Sequence, residues 1–413
     1  MSAVSPPNVL LLVVDSLRAD AVFGDHVSTP TLDAYARAGA SFRQCICTCT
    51  TTTPSFSSML TGCFPPKHGV RGLQGYRLKS TLTTLAEAFG TVGYGTYAEV
   101  TGPLLPETGV LRGFEHARHR PAYKVPFFGW RDDVIGLIDS LVPPWFMLLH
   151  IWEVHRPYRS PPDFEKRKDR AGYEAAVSAT DEWLEPVLSA AGENSLVVIT
   201  GDHGEEYPES NLEMQAVRVA RKVRKGLKLE AWFPVADQRL AGLEIGHGFA
   251  LHEPLIRVPL ILSGPGVNPA VVHDQVRHVD LLPTLLDVTG IDIPAGIDGR
   301  SLAPLIAGGT LTEAPAYLEA VGVKLGGDRL TGARTPAFKL IKSSAGRAVL
   351  YRLNGGGSGP DEKHDQYRRY PEVAHRLEHF IDETIRAETD AESGMTSAEE
   401  AIVEQHLRDL GYL

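Results

Sequence analysis

Two apolar runs of this sequence are followed directly by side chains that can bind a metal ion. Asn8–Val14 precedes Asp15, and Leu196–Thr200 precedes, after one glycine, Asp202 and His203. Carboxylate and imidazole groups together form a common ligand set for zinc, manganese and similar ions. Side chains at the carboxyl ends of strands in an open α/β sheet face a shared crevice. The pattern therefore indicates that the three side chains reach one metal ion.

Each of these residues also has a purely structural interpretation. Asp15 would serve as an N-cap for a helix that begins near Leu17, and Asp202 with Gly204 would form a turn. Taken one at a time, the segments favour these structural roles.

The elements that must position these residues alternate along the chain. Asn8–Val14 is continuously apolar, as expected of a parallel strand that is buried on both faces. The pattern predicts further strands at Thr96–Val100, Trp145–Ile151, Leu196–Thr200 and Pro259–Leu262, and helices at Leu32–Ala38, Leu82–Phe89, Asp132–Leu141, Tyr173–Leu188 and Leu281–Val288. Alternating strands and helices predict an α/β fold with a large, mostly parallel sheet sandwiched by helices.

The composition changes near Gly308, which predicts a catalytic core over residues 1–308 and a smaller C-terminal α+β subdomain over residues 309–413. Short strand-like pieces, a glycine-rich turn at 355–359 and a charged helical tail make up the second part.

Residues 207–243 interrupt the core as a predicted insertion. Its basic side chains are Arg218, Arg221, Lys222, Arg224, Lys225 and Lys228. A solvated helix held by an apolar stripe explains this pattern, and a lid that attracts an anionic substrate or a membrane surface is the alternative.

Composition excludes some partners. The chain of 413 residues carries 41 basic and 51 acidic side chains, a net charge of −10, which argues against a general nucleic-acid binder. No apolar run approaches the length of a transmembrane segment, and residues 1–7 lack the features of a signal peptide, so we expect a cytoplasmic protein.

The four cysteines lie close to one another in the sequence. Cys45, Cys47 and Cys49 alternate and Cys63 follows, which is typical of one face of a strand rather than of a disulfide framework. A zinc site is the weaker alternative, because no second close pair of cysteines is present to complete it.

Residues Thr52–Phe56, Met59–Gly62 and His68–Gly69 resemble the nucleophile segment of the sulfatase family, within the alkaline phosphatase superfamily. Thr52 stands where a sulfatase carries the cysteine or serine that becomes formylglycine, which cannot be made from threonine. A threonine hydroxyl is a poor nucleophile at neutral pH and needs a metal ion or a base to activate it.

The resemblance covers nearly the whole chain. The other matching segments are Val13–Asp20, Gly201–Glu206, Arg257–Ile261 with Gly264–Gly266, Val279–Thr284, Asp298–Leu302 and Arg334–Ile341. It implies an alkaline phosphatase or sulfatase-like fold. It also implies that Asp15, Thr52, Asp202 and His203 share at least one divalent ion (Mn, Zn, Ca or Mg), as in the threonine-bearing transferases of the superfamily.

Histidines supply candidates for the acid that protonates the leaving group, since imidazole titrates near neutral pH. His155 lies in a segment that resembles the one placing a histidine over the substrate, and His247 lies near the position of an active-site histidine in related transferases. His150 is a weaker candidate. Glu153 and Glu206 are additional candidates for the ligands of a second metal ion.

Departures from the sulfatase pattern affect the substrate. Phe56 and Cys63 replace basic residues, and the usual lysine and histidine are absent around Glu99. We therefore expect a metal-dependent hydrolase or transferase that acts on a small anionic ester through a covalent Thr52 intermediate, with a phosphodiester or phosphonate favoured. The alternatives are a sulfuric ester hydrolase and a metal-binding family member without catalytic activity.

Overall fold

A computed structural model of the chain describes residues 5–121, 124–161, 164, 172–206, 247–321, 329–353, 362, 364–387 and 395–413. The predicted basic insertion at 207–243 and the glycine-rich turn at 355–359 lie outside these residues.

A large sheet of eight strands forms the centre of the described chain. Its strands are β1 (Asn8–Val14), β2 (Ala40–Ile46), β3 (Gly95–Val100), β4 (His116–His119), β5 (Trp145–Ile151), β6 (Ser195–Gly201), β7 (Arg257–Ser263) and β8 (Ala270–Arg277). They are ordered β4-β3-β5-β1-β6-β7-β2-β8. Only β7 runs antiparallel to both of its neighbours, β6 and β2, while the remaining pairs are parallel. The predicted mostly parallel sheet is confirmed.

Helices cover both faces of this sheet. The helices of the described residues are α1 (Ala19–Phe23), α2 (Pro30–Ala38), α3 (Thr52–Thr61), α4 (Pro65–His68), α5 (Leu85–Thr91), α6 (Phe127–Ser140), α7 (Tyr173–Ala190), α8 (Glu253–Ile256), α9 (Leu281–Val288), α10 (Ala303–Ile306), α11 (Pro371–Arg386) and α12 (Ser397–Asp409). Alternate residues of β1 enter two different cores. Val9, Leu11 and Val13 pack in the core that includes α3, α5 and α9, whereas Leu10 and Leu12 pack in the core that includes α6 and α7. A strand buried on both faces explains the uninterrupted apolar run.

A second, antiparallel sheet lies in the C-terminal part. Its strands β9 (Ala316–Val321), β10 (Arg329–Arg334), β11 (Phe338–Ser343) and β12 (Ala348–Arg352) are ordered β12-β11-β10-β9. Side chains of α11 share a small core with this sheet, and Phe64 from the N-terminal part joins it. This antiparallel sheet with its helix matches the predicted smaller C-terminal α+β subdomain. The predicted boundary between residues 308 and 309 stays a prediction.

Several predicted boundaries differ from the structure. Helix α5 begins at Leu85 rather than at Leu82, because Thr84 and Glu87 form a capping box. The sequence pattern missed β8, an edge strand in which the exposed residues His273 and Asp274 break the apolar run. None of the described helices has the length and apolar character required to cross a bilayer.

Candidate active site and metal centre

Three neighbouring parallel strands bring the predicted metal ligands together. Asp15 follows β1, while Asp202 and His203 follow β6, and Val14 of β1 is paired with Gly201 of β6. On the other side of β1, His150 in β5 is paired with Val13. Ligand atoms of Asp15, His150 and Asp202 all lie within 4.8 Å of one another, and the three side chains are buried. The register of the sheet therefore adds His150 to the cluster. The sequence had indicated this residue only as a weaker candidate for the leaving-group acid.

Backbone hydrogen bonds fix the tautomers of two imidazoles in this cluster. His150 Nδ1 lies 3.1 Å from the carbonyl oxygen of Thr101, and His203 Nδ1 lies 2.8 Å from that of Gly204. A carbonyl oxygen only accepts, so each Nδ1 carries the proton and each neutral ring leaves a lone pair on Nε2.

Both of these lone pairs face carboxylates. His150 Nε2 is 3.5 Å from Asp15 Oδ2, and His203 Nε2 is 3.4 Å from Asp202 Oδ2. His150 Nε2, His203 Nε2 and Asp202 Oδ2 are buried without a hydrogen-bond partner among the described residues. Folded proteins rarely leave such atoms unpaired, and a cation satisfies imidazole and carboxylate lone pairs at once. The donor set therefore fits a divalent metal ion.

The buried carboxylates also constrain one another. Burial raises the pKa of Asp202, and the nearby Asp15 charge raises it further. Burial also acts to raise the pKa of Asp15, but the surrounding histidines outweigh it and lower that pKa. Two carboxylates this close do not both ionise readily without a cation between them.

Thr52 is the first residue of α3 and is buried. Its Oγ1 lies 3.3 Å from Asp15 Oδ2, which places the hydroxyl at the edge of the metal-ligand cluster. Phe56, one turn later, packs against His150 in an edge-to-face arrangement with 4.9 Å between the ring centroids. This apolar contact lies where the sulfatase pattern has a basic residue.

Ser16 holds the two acidic ligands in place. It has a left-handed backbone with φ of 61°, a conformation that costs a residue with a Cβ about 1–2 kcal/mol. Its amide donates to Asp202 Oδ1 at 3.0 Å, and its hydroxyl donates to Asp15 Oδ1 at 2.8 Å. Tyr173 donates to the Ser16 carbonyl oxygen at 2.9 Å. The strained residue thus links the ends of β1 and β6.

His155 and His247 lie beside the cluster, with ring centroids 4.9 Å apart. The ring of His247 is also 4.3 Å from that of His203, and its Nδ1 is 3.3 Å from Glu205 Oε2. Burial acts to lower the pKa of His247, but the Glu205 carboxylate outweighs this effect and raises it. Burial lowers the pKa of His155 to about 4. The surroundings therefore favour the protonated form of His247 and the neutral form of His155.

Comparison with known proteins decides the family. Residues 7–291 match the sulfatase family, and residues 248–386 match the family described as N-sulphoglucosamine sulphohydrolase, C-terminal. This chain belongs to the sulfatase family. Members of the family are hydrolases and generally use a divalent metal ion.

The sequence relatives of this sulfatase-family chain include two named sulfatases. An ulvan-active sulfatase of Formosa agariphila is 24% identical, with 73% of this chain and 65% of the relative covered. Arylsulfatase A of Homo sapiens is also 24% identical, with 75% of this chain and 69% of the relative covered. The chain thus spans slightly less than two thirds of the first relative.

Solved structures show the same fold. The phosphonate monoester hydrolase of Agrobacterium radiobacter has a TM-score of 0.71 and 17% identity, with 93% of this chain and 96% of that chain covered. The fold predicted for this sulfatase-family chain is therefore confirmed.

Two charged side chains of the site went unrecognised in the sequence. Glu205 is buried and pairs with His247, and it lies within the matching segment Gly201–Glu206, where it had been given no role. Arg156 has a buried Nη2 without a hydrogen-bond partner among the described residues, and its charge helps to lower the pKa of Glu205. The sequence pattern indicated no role for this guanidinium, although Arg156 adjoins His155 in the chain.

The candidates for a second metal ion have other partners. The carboxylate of Glu153 accepts from Arg120 Nη1 at 2.7 Å, from Arg120 Nη2 at 3.0 Å and from the Phe127 amide at 2.7 Å. Glu206 lies 2.7 Å from His252 Nδ1. The hydrogen bonds of Glu153 leave it no role as a metal ligand.

The cysteines are all buried and free. Cys45 lies in β2, and Cys49 forms an isolated bridge with Glu319 of β9. The metal-ligand cluster found among the described residues contains no cysteine. Burial raises the pKa of the Cys49 thiol well above its usual range.

Proposed function

We propose that this sulfatase-family chain hydrolyses an anionic ester with the Thr52 hydroxyl as its nucleophile. The observation that carries the proposal is the position of Thr52 Oγ1, 3.3 Å from Asp15 Oδ2 at the edge of a buried ligand cluster. Attack by Oγ1 on sulfur or phosphorus would break the ester bond and release the alcohol, and water would then release the acid from Thr52.

Asp15, Asp202, His203 and Thr52 would hold the metal ion together with His150. A bound divalent ion supplies Lewis acidity, which lowers the pKa of a neighbouring hydroxyl and stabilises anionic oxygens. Ser16 keeps Asp15 and Asp202 oriented through two short hydrogen bonds. Arg156 is the described cation best placed to meet a negative substrate, because its Nη2 has no competing hydrogen bond among the described residues.

His247 is the better of the two candidates for the leaving-group acid. Its Nδ1 faces the Glu205 carboxylate, which stabilises the protonated ring. His155 uses Nδ1 for the Arg156 carbonyl oxygen at 2.6 Å and Nε2 for Tyr412 at 2.8 Å, so neither nitrogen faces a substrate.

A sulfuric ester is the substrate class that the relatives support, since both sequence relatives described above are named sulfatases. The residue pattern at the nucleophile segment favoured a phosphodiester or phosphonate over a sulfuric ester. Its weakness is chemical, because threonine does not yield formylglycine.

A phosphodiester or phosphonate monoester is the second candidate. Two local observations favour it: Thr52 occupies the nucleophile position, and Phe56 packs where the sulfatase pattern has a basic residue. A phosphonate monoester hydrolase among the structures of similar fold is compatible with this candidate.

One substrate panel tests the proposal. The metal-loaded protein is assayed on aryl sulfate, phosphomonoester, phosphodiester and phosphonate monoester substrates, beside Thr52→Ala and Thr53→Ala. Thr52→Ala should lower kcat on the best substrate by about 10³-fold or more, because the nucleophile is gone. Thr53→Ala is the matched control, since its hydroxyl donates to the Pro103 carbonyl oxygen instead.

Mass spectrometry of acid-quenched protein adds a direct readout. We expect one sulfuryl or phosphoryl group on the peptide that contains Thr52. Full activity in Thr52→Ala would refute the mechanism. A metal-loaded wild-type protein without turnover on any ester would instead support the non-catalytic alternative.

A further inference from the structure

The C-terminal helix α12 packs against the loops around the active site. Val403 and Leu407 of α12 form a small apolar cluster with Leu73 and Leu105, and Tyr412 packs against it. At the start of the helix, Glu399 pairs with Arg77 at 2.6 Å. Residues 395–413 are therefore held against the segments that follow α4 and β3.

Two hydrogen bonds connect this helix to the backbone that orients a metal-ligand candidate. His406 Nε2 donates to the Gly102 carbonyl oxygen at 2.9 Å, and His119 Nε2 lies at the same distance from that oxygen. The preceding carbonyl oxygen, that of Thr101, accepts from His150 Nδ1. Consecutive carbonyl groups thus hold α12 on one side and His150 on the other.

The chain terminus makes a second, more direct contact with the site. The Tyr412 hydroxyl lies 2.8 Å from His155 Nε2. Since His155 Nδ1 must carry a proton to donate to the Arg156 carbonyl oxygen, Nε2 of the neutral ring is an acceptor and Tyr412 is the donor. The His155 ring is also stacked on Trp152, with centroids 3.9 Å apart. Both ring nitrogens and one ring face are therefore engaged.

We propose that Tyr412 is a positioning residue of the active site: its hydroxyl donates to His155 Nε2 and, together with the Arg156 carbonyl oxygen on Nδ1, fixes the tautomer and the orientation of the ring. In this orientation the neutral ring of His155 packs beside His247, with 4.9 Å between the ring centroids. His247 then acts alone as the proton donor. The catalytic role of Tyr412 rests on the function proposed above. The hydrogen bond between Tyr412 and His155, and the tautomer of His155, are independent of that function.

Nitrogen NMR of protein with ¹⁵N-labelled histidine tests the hydrogen bond independently of activity. In the wild-type protein we expect His155 protonated at Nδ1, with Nε2 in the range of a hydrogen-bonded acceptor. Tyr412→Phe should move the Nε2 resonance of His155 downfield, towards that of a bare imidazole nitrogen. His155→Gln assigns the signal.

Kinetics on the best ester of the panel test the positioning role. Tyr412→Phe should lower kcat/KM about three- to tenfold, the net effect of one lost hydrogen bond between neutral groups. Tyr367→Phe is the matched control, because its hydroxyl donates to Glu378 at 2.8 Å in the C-terminal part and it removes a hydroxyl of the same kind.

The two readouts separate failure of this inference from failure of the proposed function. An unchanged His155 spectrum in Tyr412→Phe would overturn the inference. A shifted spectrum with unchanged kcat/KM would overturn the positioning role. A protein inactive on every ester would count against the proposed function and the positioning role, while the spectrum would still report whether the Tyr412 hydrogen bond exists. Because phenylalanine retains the ring that packs against the α12 cluster, we expect the variant to fold.

Discussion

Two buried clusters of charged side chains differ in how completely their atoms are paired. In the cluster around Glu253, Arg334 donates to both carboxylate oxygens at 2.9 Å, and Lys339 donates at 3.2 Å. In the cluster around Asp202, imidazole lone pairs face carboxylates, and three buried atoms have no hydrogen-bond partner among the described residues. The carboxylates are buried in both clusters, so the completeness of hydrogen bonding distinguishes a structural ion pair from a cluster that can bind a cation.

The pKa values reflect the same contrast. Burial acts to raise the pKa of Glu253, but Lys339 and Arg334 outweigh it and lower that pKa to about 2. Asp202 has no comparable cation among the residues that the structure describes, and burial together with the Asp15 charge raises its pKa. Removing a charge should therefore have opposite effects on stability in the two clusters.

Glu253→Gln should produce the largest loss of stability. Arg334 would be left buried without a carboxylate, and Lys339 would keep only its ion pair with Glu362. Breaking a buried ion pair by removing one partner typically costs about 3–5 kcal/mol in the free energy of unfolding. Urea unfolding at pH 7 measures the change. Glu404→Gln is the control, because its pair with Arg408 is exposed and contributes about 0–1 kcal/mol. Equal losses in the two variants would contradict the structural role of the Glu253 cluster.

The pH dependence of stability should follow the Glu253 carboxylate. Its folded-state pKa of about 2 lies below the ordinary value of 4.5, so its contribution is present above pH 4.5 and is lost as the pH falls towards 2. The shift corresponds to roughly 3 kcal/mol. Unfolding curves of wild type and Glu253→Gln should therefore converge with falling pH. Parallel curves throughout that range would show that the Glu253 pKa is not depressed.

Asp202→Asn should behave in the opposite way. An amide at this position keeps a carbonyl oxygen for the amides of Ser16 and His203, and it can donate to His203 Nε2. Without metal, we expect the variant to be as stable as wild type or more stable by about 1 kcal/mol. Thermal unfolding in a chelator checks this expectation.

The same variant should lose its response to metal. A divalent ion at about 100 times its Kd stabilises a folded protein by about 2.7 kcal/mol, and we expect this shift in wild type and Glu253→Gln but not in Asp202→Asn. Titrations with Ca²⁺ and Mn²⁺ provide the measurement. A full metal shift in Asp202→Asn would place the ion elsewhere.

Sequence periodicity and motif spacing were enough to predict the alternating strands and helices, the mostly parallel sheet, and the placement of Asp15, Asp202 and His203 at strand ends. These features follow from local patterns, because a strand buried on both faces must be apolar and its end must lie at the sheet edge. Strand β8 was not predicted because it lies at the edge of the sheet, where polar residues interrupt the apolar run by which a buried strand is identified.

Tertiary structure alone decided which candidates share a site. His150 joined the metal-ligand cluster because β5 is the neighbour of β1, a pairing that connects residues distant in sequence. Hydrogen bonds to Arg120 excluded Glu153 as a metal ligand. Arg156 Nη2 has no hydrogen-bond partner within the part of the chain that the structure describes. Tyr412 reached His155 through the packing of α12, and no motif anticipated that contact. Whether two buried atoms form a hydrogen bond depends on their distance in the folded chain, and the spacing of residues along the sequence does not determine that distance.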